Sequence, residues 1–242
     1  MDPPLPSLDA ASPRAPLWIA HRGAAALAPE STLEAYRAAW ASGLRALEQD
    51  VRVLADGTLV VMHDATVDRT TTGSGPVDAL DVAAFRSLRI DVRAHPGFAA
   101  DIAPPLFADV LAEFRGRALF VPEAKAPGSG AAVVEALRDA GIPTHEALVQ
   151  AFALDDLHPA VAAGYPAMFL TARSDAIHAA RDAGVRWVGL DRRAPEAVYA
   201  AWREAGLRLV AWTVDDRDER DRLLERGVCG FFSDDPLALM AP

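Results

Sequence analysis

The chain has 242 residues, 51% of them hydrophobic, and a formal net charge of −10. That is enough apolar material for one buried core of barrel size, and the acidic balance excludes a global field that draws in nucleic acid or anionic lipid. Cys229 is the one cysteine, so an internal disulfide is excluded, and the chain fits a reducing compartment.

Residues 1–15 are proline-rich and lack an apolar centre, so they read as a flexible tail, neither a secretory signal nor a membrane span. A soluble, cytoplasmic protein is expected. Residues 16–242 alternate strand-like and helix-like segments. Leu17 to Ala20 reads as a first strand. Ser31 then opens a helix to about Ser42, with Glu34 placed for a capping box and Gly43 as the stop. Leu44 to Val53 is a second strand, Asp56-Gly57 a hairpin turn, and Thr58 to Met62 the return. That hairpin brings His63 back toward the level of Glu48 and Asp50.

Residues 64–104 interrupt the rhythm, with one short helix near Leu80 to Leu88, and read as an insertion over one end of the sheet. Strands are then expected at Ala118–Glu123, Ala147–Phe152, Ala167–Leu170, Trp187–Leu190, Leu207–Thr213 and Val228–Ser233. Helices are expected near Leu106–Phe114, Ser129–Ala140, Leu154–Ala162, Ser174–Ala183, Pro195–Ala205 and Asp216–Glu225. About eight parallel strands make an α/β fold of the (β/α)₈ barrel type, closed and without edges. An open doubly wound sheet is the alternative, but no glycine fingerprint follows the first strand.

In such a barrel the strand C-termini carry the chemistry. His21 follows the first strand, Glu48 and Asp50 lie near the end of the second, Glu123 ends the next, with Lys125 two residues on, and Asp234 follows the last. The i, i+2 spacing puts Glu48 and Asp50 on one strand face. Three carboxylates about 4 Å apart repel by about 4 kcal/mol per pair at an effective dielectric near 20, and a divalent cation relieves that. Glu48, Asp50 and Glu123 are hard oxygen donors for Mg²⁺ or Ca²⁺. His21 and His63 can move protons near neutral pH, and Arg22 and Lys125 can grip an anion. His95, His145, His158 and His178 have no such company. Cys229 reads as a small buried apolar residue. The RTTTGSG run from Arg69 to Gly75 resembles a phosphate loop in composition but lacks its GK[ST] ending. Cation, proton carriers and anion grip together suit phosphodiester hydrolysis.

The ordered set HRG-AAALA-PEST, LEQDV, ADGTLVVMHD and DRTTTGSG resembles the glycerophosphodiester phosphodiesterase family, and the likeness continues at VPEAK, LRLVAWTVDD and GVCGFFSDDP. The resemblance implies a (β/α)₈ barrel with a small insertion, acid and base roles for His21 and His63, and metal ligation by Glu48, Asp50 and Glu123. It also implies phosphate contacts from Arg22 and Lys125 and an aromatic rim at Trp212. Ser31, Ala25-Ala26, Ala151, Asp215 and Cys229 depart from the family's usual residues without removing a ligand or proton carrier. The expected substrate is a small glycerophosphodiester, cleaved to sn-glycerol 3-phosphate and an alcohol with one Mg²⁺ or Ca²⁺ as cofactor. Neither nucleic acid nor stable membrane association is expected, and the oligomeric state is left open. A related barrel phosphodiesterase acting on lysophospholipids or sphingolipids, using Phe85, Leu88, Ile90 and Phe98 toward a membrane, is one alternative. A non-catalytic ligand-binding barrel is the other.

Overall fold

A computed structural model describes residues 4–240 of the chain. In chain order its elements are β1 (Leu17–Ala20), α1 (Leu33–Ala41), β2 (Ala46–Val53), β3 (Leu59–Val61), α2 (Val82–Ser87), α3 (Phe107–Phe114), β4 (Leu119–Ala124), α4 (Gly130–Asp139), β5 (Val149–Ala151) and α5 (His158–Ala162). There follow β6 (Ala167–Thr171), α6 (Ile177–Asp182), β7 (Trp187–Asp191), α7 (Glu196–Glu204), β8 (Arg208–Trp212), α8 (Arg217–Glu225), β9 (Val228–Ser233) and α9 (Pro236–Met240). All strands but β3 run parallel, and β1 pairs with both β2 and β9. Eight strands therefore close into the (β/α)₈ barrel that the alternating pattern predicts.

Strand periodicity sorts the core into two layers. Leu17, Ile19, Ala46, Leu119, Val121, Leu148, Met168, Trp187 and Val210 fill the barrel's interior. Leu47, Val51, Phe120, Val149, Val188 and Phe231 face outward, against Tyr36, Val110, Phe114, Tyr199 and Trp202 of the helices. Each large apolar side chain so buried contributes about 1.5–3 kcal/mol. Along β2 the inward series is Ala46, Glu48, Asp50, and along β4 it is Leu119, Val121, Glu123. Both series turn from apolar to acidic toward the C-terminal end, which is what sets the site at that rim.

Two local expectations are corrected. Ser31 does not cap α1: the cap is Thr32, whose hydroxyl accepts from the Ala35 N–H (3.1 Å) and donates to the Pro29 carbonyl (2.7 Å). Ser31 sits at φ +57°, before the helix, and its buried hydroxyl has no hydrogen-bond partner among the described residues. Glu34 pairs with Arg37 at 3.6 Å rather than reaching back. The expected flexible tail is docked over part of its length. Leu8, 9% exposed, plugs the interior layer from below, and the Arg208 guanidinium donates to the carbonyls of Leu8, Asp9 and Ala11. Residues 1–3 of that tail lie outside the described residues. The helix α9 was not expected, because five residues are too few to show a period.

The insertion over residues 64–104 packs on the β2–β3 hairpin. Leu54, Val60 and Met62 of the hairpin region and Val67, Val77 and Phe85 of the insertion form a small core between them.

Candidate functional site

The turn after β1 is built around backbone that favours glycine. Gly23 has φ +84°, and a Cβ there would lie 2.7 Å from the Ala35 Cβ, so only glycine fits. Arg22 beside it is also left-handed, φ 52° and ψ 30°, a conformation that costs a non-glycine residue about 1–2 kcal/mol. That turn points the Arg22 backbone N–H at Glu48 Oε2, 2.6 Å away.

Glu48, Asp50 and Glu123 are 1%, 1% and 7% exposed, and each offers a carboxylate oxygen within 4.8 Å of the others. Asp50 and Glu123 are direct partners across β2 and β4. Lys125, the only lysine of the chain, places Nζ 3.0 Å from Asp50 Oδ1 and 2.9 Å from Glu123 Oε1. Arg22 Nε lies 3.5 Å from Asp50 Oδ2. Burial pushes the Glu48 carboxyl well above the usual range, and the neighbouring Asp50 adds to it. Burial likewise raises Glu123, against the pull of Lys125. Asp50 is lowered in spite of burial, because Lys125, His63 and Arg22 favour its charged form. The trio is thus split by environment, one carboxylate held ionised and two pressed toward protonation.

Each candidate histidine leans on a carboxylate. His21 Nδ1 lies 2.7 Å from Asp234 Oδ1, and His63 Nδ1 lies 2.7 Å from Asp64 Oδ1. A carboxylate acceptor keeps the proton on Nδ1 and leaves Nε2 as the free lone pair. Asp215 shapes the turn after β9 by accepting from the Ser233 hydroxyl and the Asp234 N–H, both at 2.8 Å. Arg52 donates through Nη2 and Nε to the His63 carbonyl at 2.7 and 3.0 Å. Burial lowers His63 below the ordinary histidine value, although Asp50 and Asp64 oppose it.

His21, Arg22, Glu48, His63, Glu123, Lys125 and Trp212 all line one cleft of about 190 Å³, and Asp50 lies beneath them on Lys125. The structure therefore brings together all eight residues singled out from the sequence. Gln150, Phe152, Leu170 and Phe232 complete the lining. Phe152, 54% exposed, meets Trp212 edge to face with centroids 5.8 Å apart. Sequence reasoning set Asp64 in the ADGTLVVMHD motif and Asp234 at the rim after the last strand without giving either a supporting role, and it overlooked Glu30, Arg52 and Arg69 as supports. The HD pair and the SDD after the last strand were signals for the first two. Glu30 and Arg69 meet across long loops and leave no periodic trace, whereas Arg52 lies on β2 two residues after Asp50, where strand spacing was a signal. Cys229 is buried as expected, and burial pushes its thiol up.

The model of the glycerophosphoryl diester phosphodiesterase family matches residues 21–238. A glycerophosphodiester phosphodiesterase of Caldanaerobacter subterraneus subsp. tengcongensis is 29% identical over 239 residues, spanning 93% of this chain and 96% of its own. The crystal structure of a glycerophosphodiester phosphodiesterase from Agrobacterium tumefaciens superimposes with a TM-score of 0.77 at 26% identity, over 92% of this chain and 97% of that one. A phosphodiesterase of Oleispira antarctica, solved with the product sn-glycerol-3-phosphate, shares the fold with a TM-score of 0.82 at 23% identity, over 93% and 96% of the two chains. With the family's motifs in order along a closed barrel and a match over most of its length, the chain belongs to the glycerophosphoryl diester phosphodiesterase family and is an enzyme of that class.

Proposed function

We propose that the protein hydrolyses small glycerophosphodiesters to sn-glycerol 3-phosphate and an alcohol, using a divalent cation and the pair His21 and His63. The observation that carries this reading is a buried acidic trio lining one cleft with two carboxylate-bonded imidazoles. The donor set fits Mg²⁺ or Ca²⁺: three hard oxygens converge, and Asp50 Oδ2 is buried without a hydrogen-bond partner among the described residues. A divalent ion held by Glu48, Asp50 and Glu123 supplies positive charge to the phosphoryl oxygens.

The chain's own groups do the rest. Arg22 and Lys125 hold the anionic oxygens of the diester and stabilise the charge that grows on them. One imidazole takes a proton from the attacking oxygen, and the other returns one to the leaving alcohol. His63, kept neutral by burial, suits the base role. Trp212 and Phe152 offer apolar faces to the carbon skeleton of glycerol or head group.

A small soluble diester is favoured over a lipid. Phe85 and Ile90, candidates for a membrane-facing loop, are buried in the insertion, and Phe98 packs edge-on against His95. Among the described residues no helix is long and apolar enough to cross a membrane. The test is a panel of purified glycerophosphodiesters with product identification, run with and without EDTA, beside lysophosphatidylcholine vesicles. Release of sn-glycerol 3-phosphate from the soluble diesters, stopped by chelation and restored by Mg²⁺ or Ca²⁺, is expected. Full activity after thorough chelation, or turnover confined to the vesicles, contradicts the reading.

A further inference from the structure

The RTTTGSG run has the composition of a phosphate loop, but four of its seven backbone N–H groups are occupied within the insertion. The N–H groups of Thr71, Thr72, Gly73 and Gly75 donate to Val67 O (3.1 Å), Arg89 O (2.8 Å), Thr71 Oγ1 (3.1 Å) and Asp68 Oδ2 (3.0 Å). A phosphate cradle needs such groups free. The part of the run that reaches out is the Arg69 side chain. Its Nε lies 2.6 Å from Asp64 Oδ2, and Nη1 and Nη2 lie 2.8 and 2.7 Å from Glu30 Oε2 and Oε1. One planar fork joins two carboxylates, which suits arginine and not lysine.

Each of those carboxylates has a second partner at the cleft. Asp64 Oδ1 meets His63 Nδ1 at 2.7 Å, and Glu30 Oε1 accepts from Arg22 Nη1 at 3.0 Å. Charges therefore alternate from Asp50 through Arg22, Glu30 and Arg69 to Asp64, which meets the His63 ring. Arg69 itself does not line the cleft. It ties the insertion to the loop between β1 and α1, the two segments that carry His63's carboxylate and Arg22's.

We propose that Arg69 is a positioning residue: by clamping Asp64 and Glu30 together it holds His63 in its Nδ1-protonated form and Arg22 over the cleft. The inference rests on the assignment of His63 and Arg22 to the reaction. An Asp on a loop can swing between donors. Fixing it with a second donor removes reorganisation at the moment of proton transfer. Because the Arg69 side chain is 47% exposed, its loss should leave the fold intact.

The test compares Arg69→Met, Arg69→Lys, Asp64→Asn, the double variant Asp64→Asn/Arg69→Met and His63→Ala. Steady-state kinetics on a soluble glycerophosphodiester are read beside ¹⁵N NMR of the imidazoles, the His63 signals being identified by their disappearance in His63→Ala. Arg69→Met should lower kcat about 10-fold or more, with thermal melting close to native. Its His63 ring signals should shift from one tautomer to a mixture. Arg69→Lys should recover only part of the loss, since one ammonium cannot hold both carboxylates. The double variant should be no slower than the slower single one, because both changes act on the same imidazole. Native kcat with an unchanged tautomer in Arg69→Met overturns the proposal, and so do additive losses in the double variant. Native turnover in His63→Ala would instead overturn the role given to His63. The tautomer in Arg69→Met would still decide whether Arg69 sets it.

Discussion

At the scale of single residues the site works by unequal neighbours. Asp50 faces Lys125 and Arg22 and stays ionised, whereas burial drives Glu48 and Glu123 the other way. The two histidines are oriented alike, each through Nδ1 on a carboxylate. His21→Ala and His63→Ala should each cut turnover by at least about 10²-fold, measured as kcat on a soluble glycerophosphodiester. A near-native rate in either variant removes that residue from the mechanism. A pH profile tests the direction of the His63 shift. The base form is the neutral one, so activity is full at higher pH and falls as protons add on the acid side. Because burial lowers His63, that acid limb of kcat/KM should fall below the ordinary histidine value of about 6.5. A limb above that value contradicts the assignment of His63 as base. The residues proposed as ligands and proton carriers could be placed at one rim because strand ends and i, i+2 spacing are written in the sequence. Glu30 and Arg69 could not, because their meeting depends on how two irregular loops pack.

At the scale of elements, most of the βα alternation could be read directly, and the misreadings were single-residue or single-contact matters. Ser31 and Thr32 are adjacent, and either hydroxyl can cap a helix. The left-handed backbone at Ser31 takes it out of the capping position. Thr32 is buried and bonds at both ends of its hydroxyl, so Thr32→Ala should lower stability by about 0.5–2 kcal/mol in denaturant unfolding. Ser31→Ala should be close to neutral by the same measurement, and a larger loss there than at Thr32 would reverse the assignment of the cap. The docked tail was hidden for a different reason. Its anchors, Leu8 and Arg208, lie 200 positions apart, and a proline-rich composition carries no sign of a partner that distant.

For the molecule as a whole, the barrel places three acidic groups where their own burial opposes them. The chain is acidic overall, yet its cleft gathers Arg22 and Lys125 beside that trio, so attraction of an anionic diester is local and not a property of the net charge. Two monovalent cations against three carboxylates leave negative charge that a divalent ion satisfies, and that balance is the core of the functional account. Calorimetric titration of the metal-free protein with Mg²⁺ and with Ca²⁺ near neutral pH tests it most directly. A single site for at least one of these ions is expected, lost in Glu123→Gln and in Asp50→Asn. Proton release should accompany binding, because Glu48 and Glu123 are pressed toward their protonated forms. The absence of binding by either ion, or binding unchanged in both variants, would contradict it.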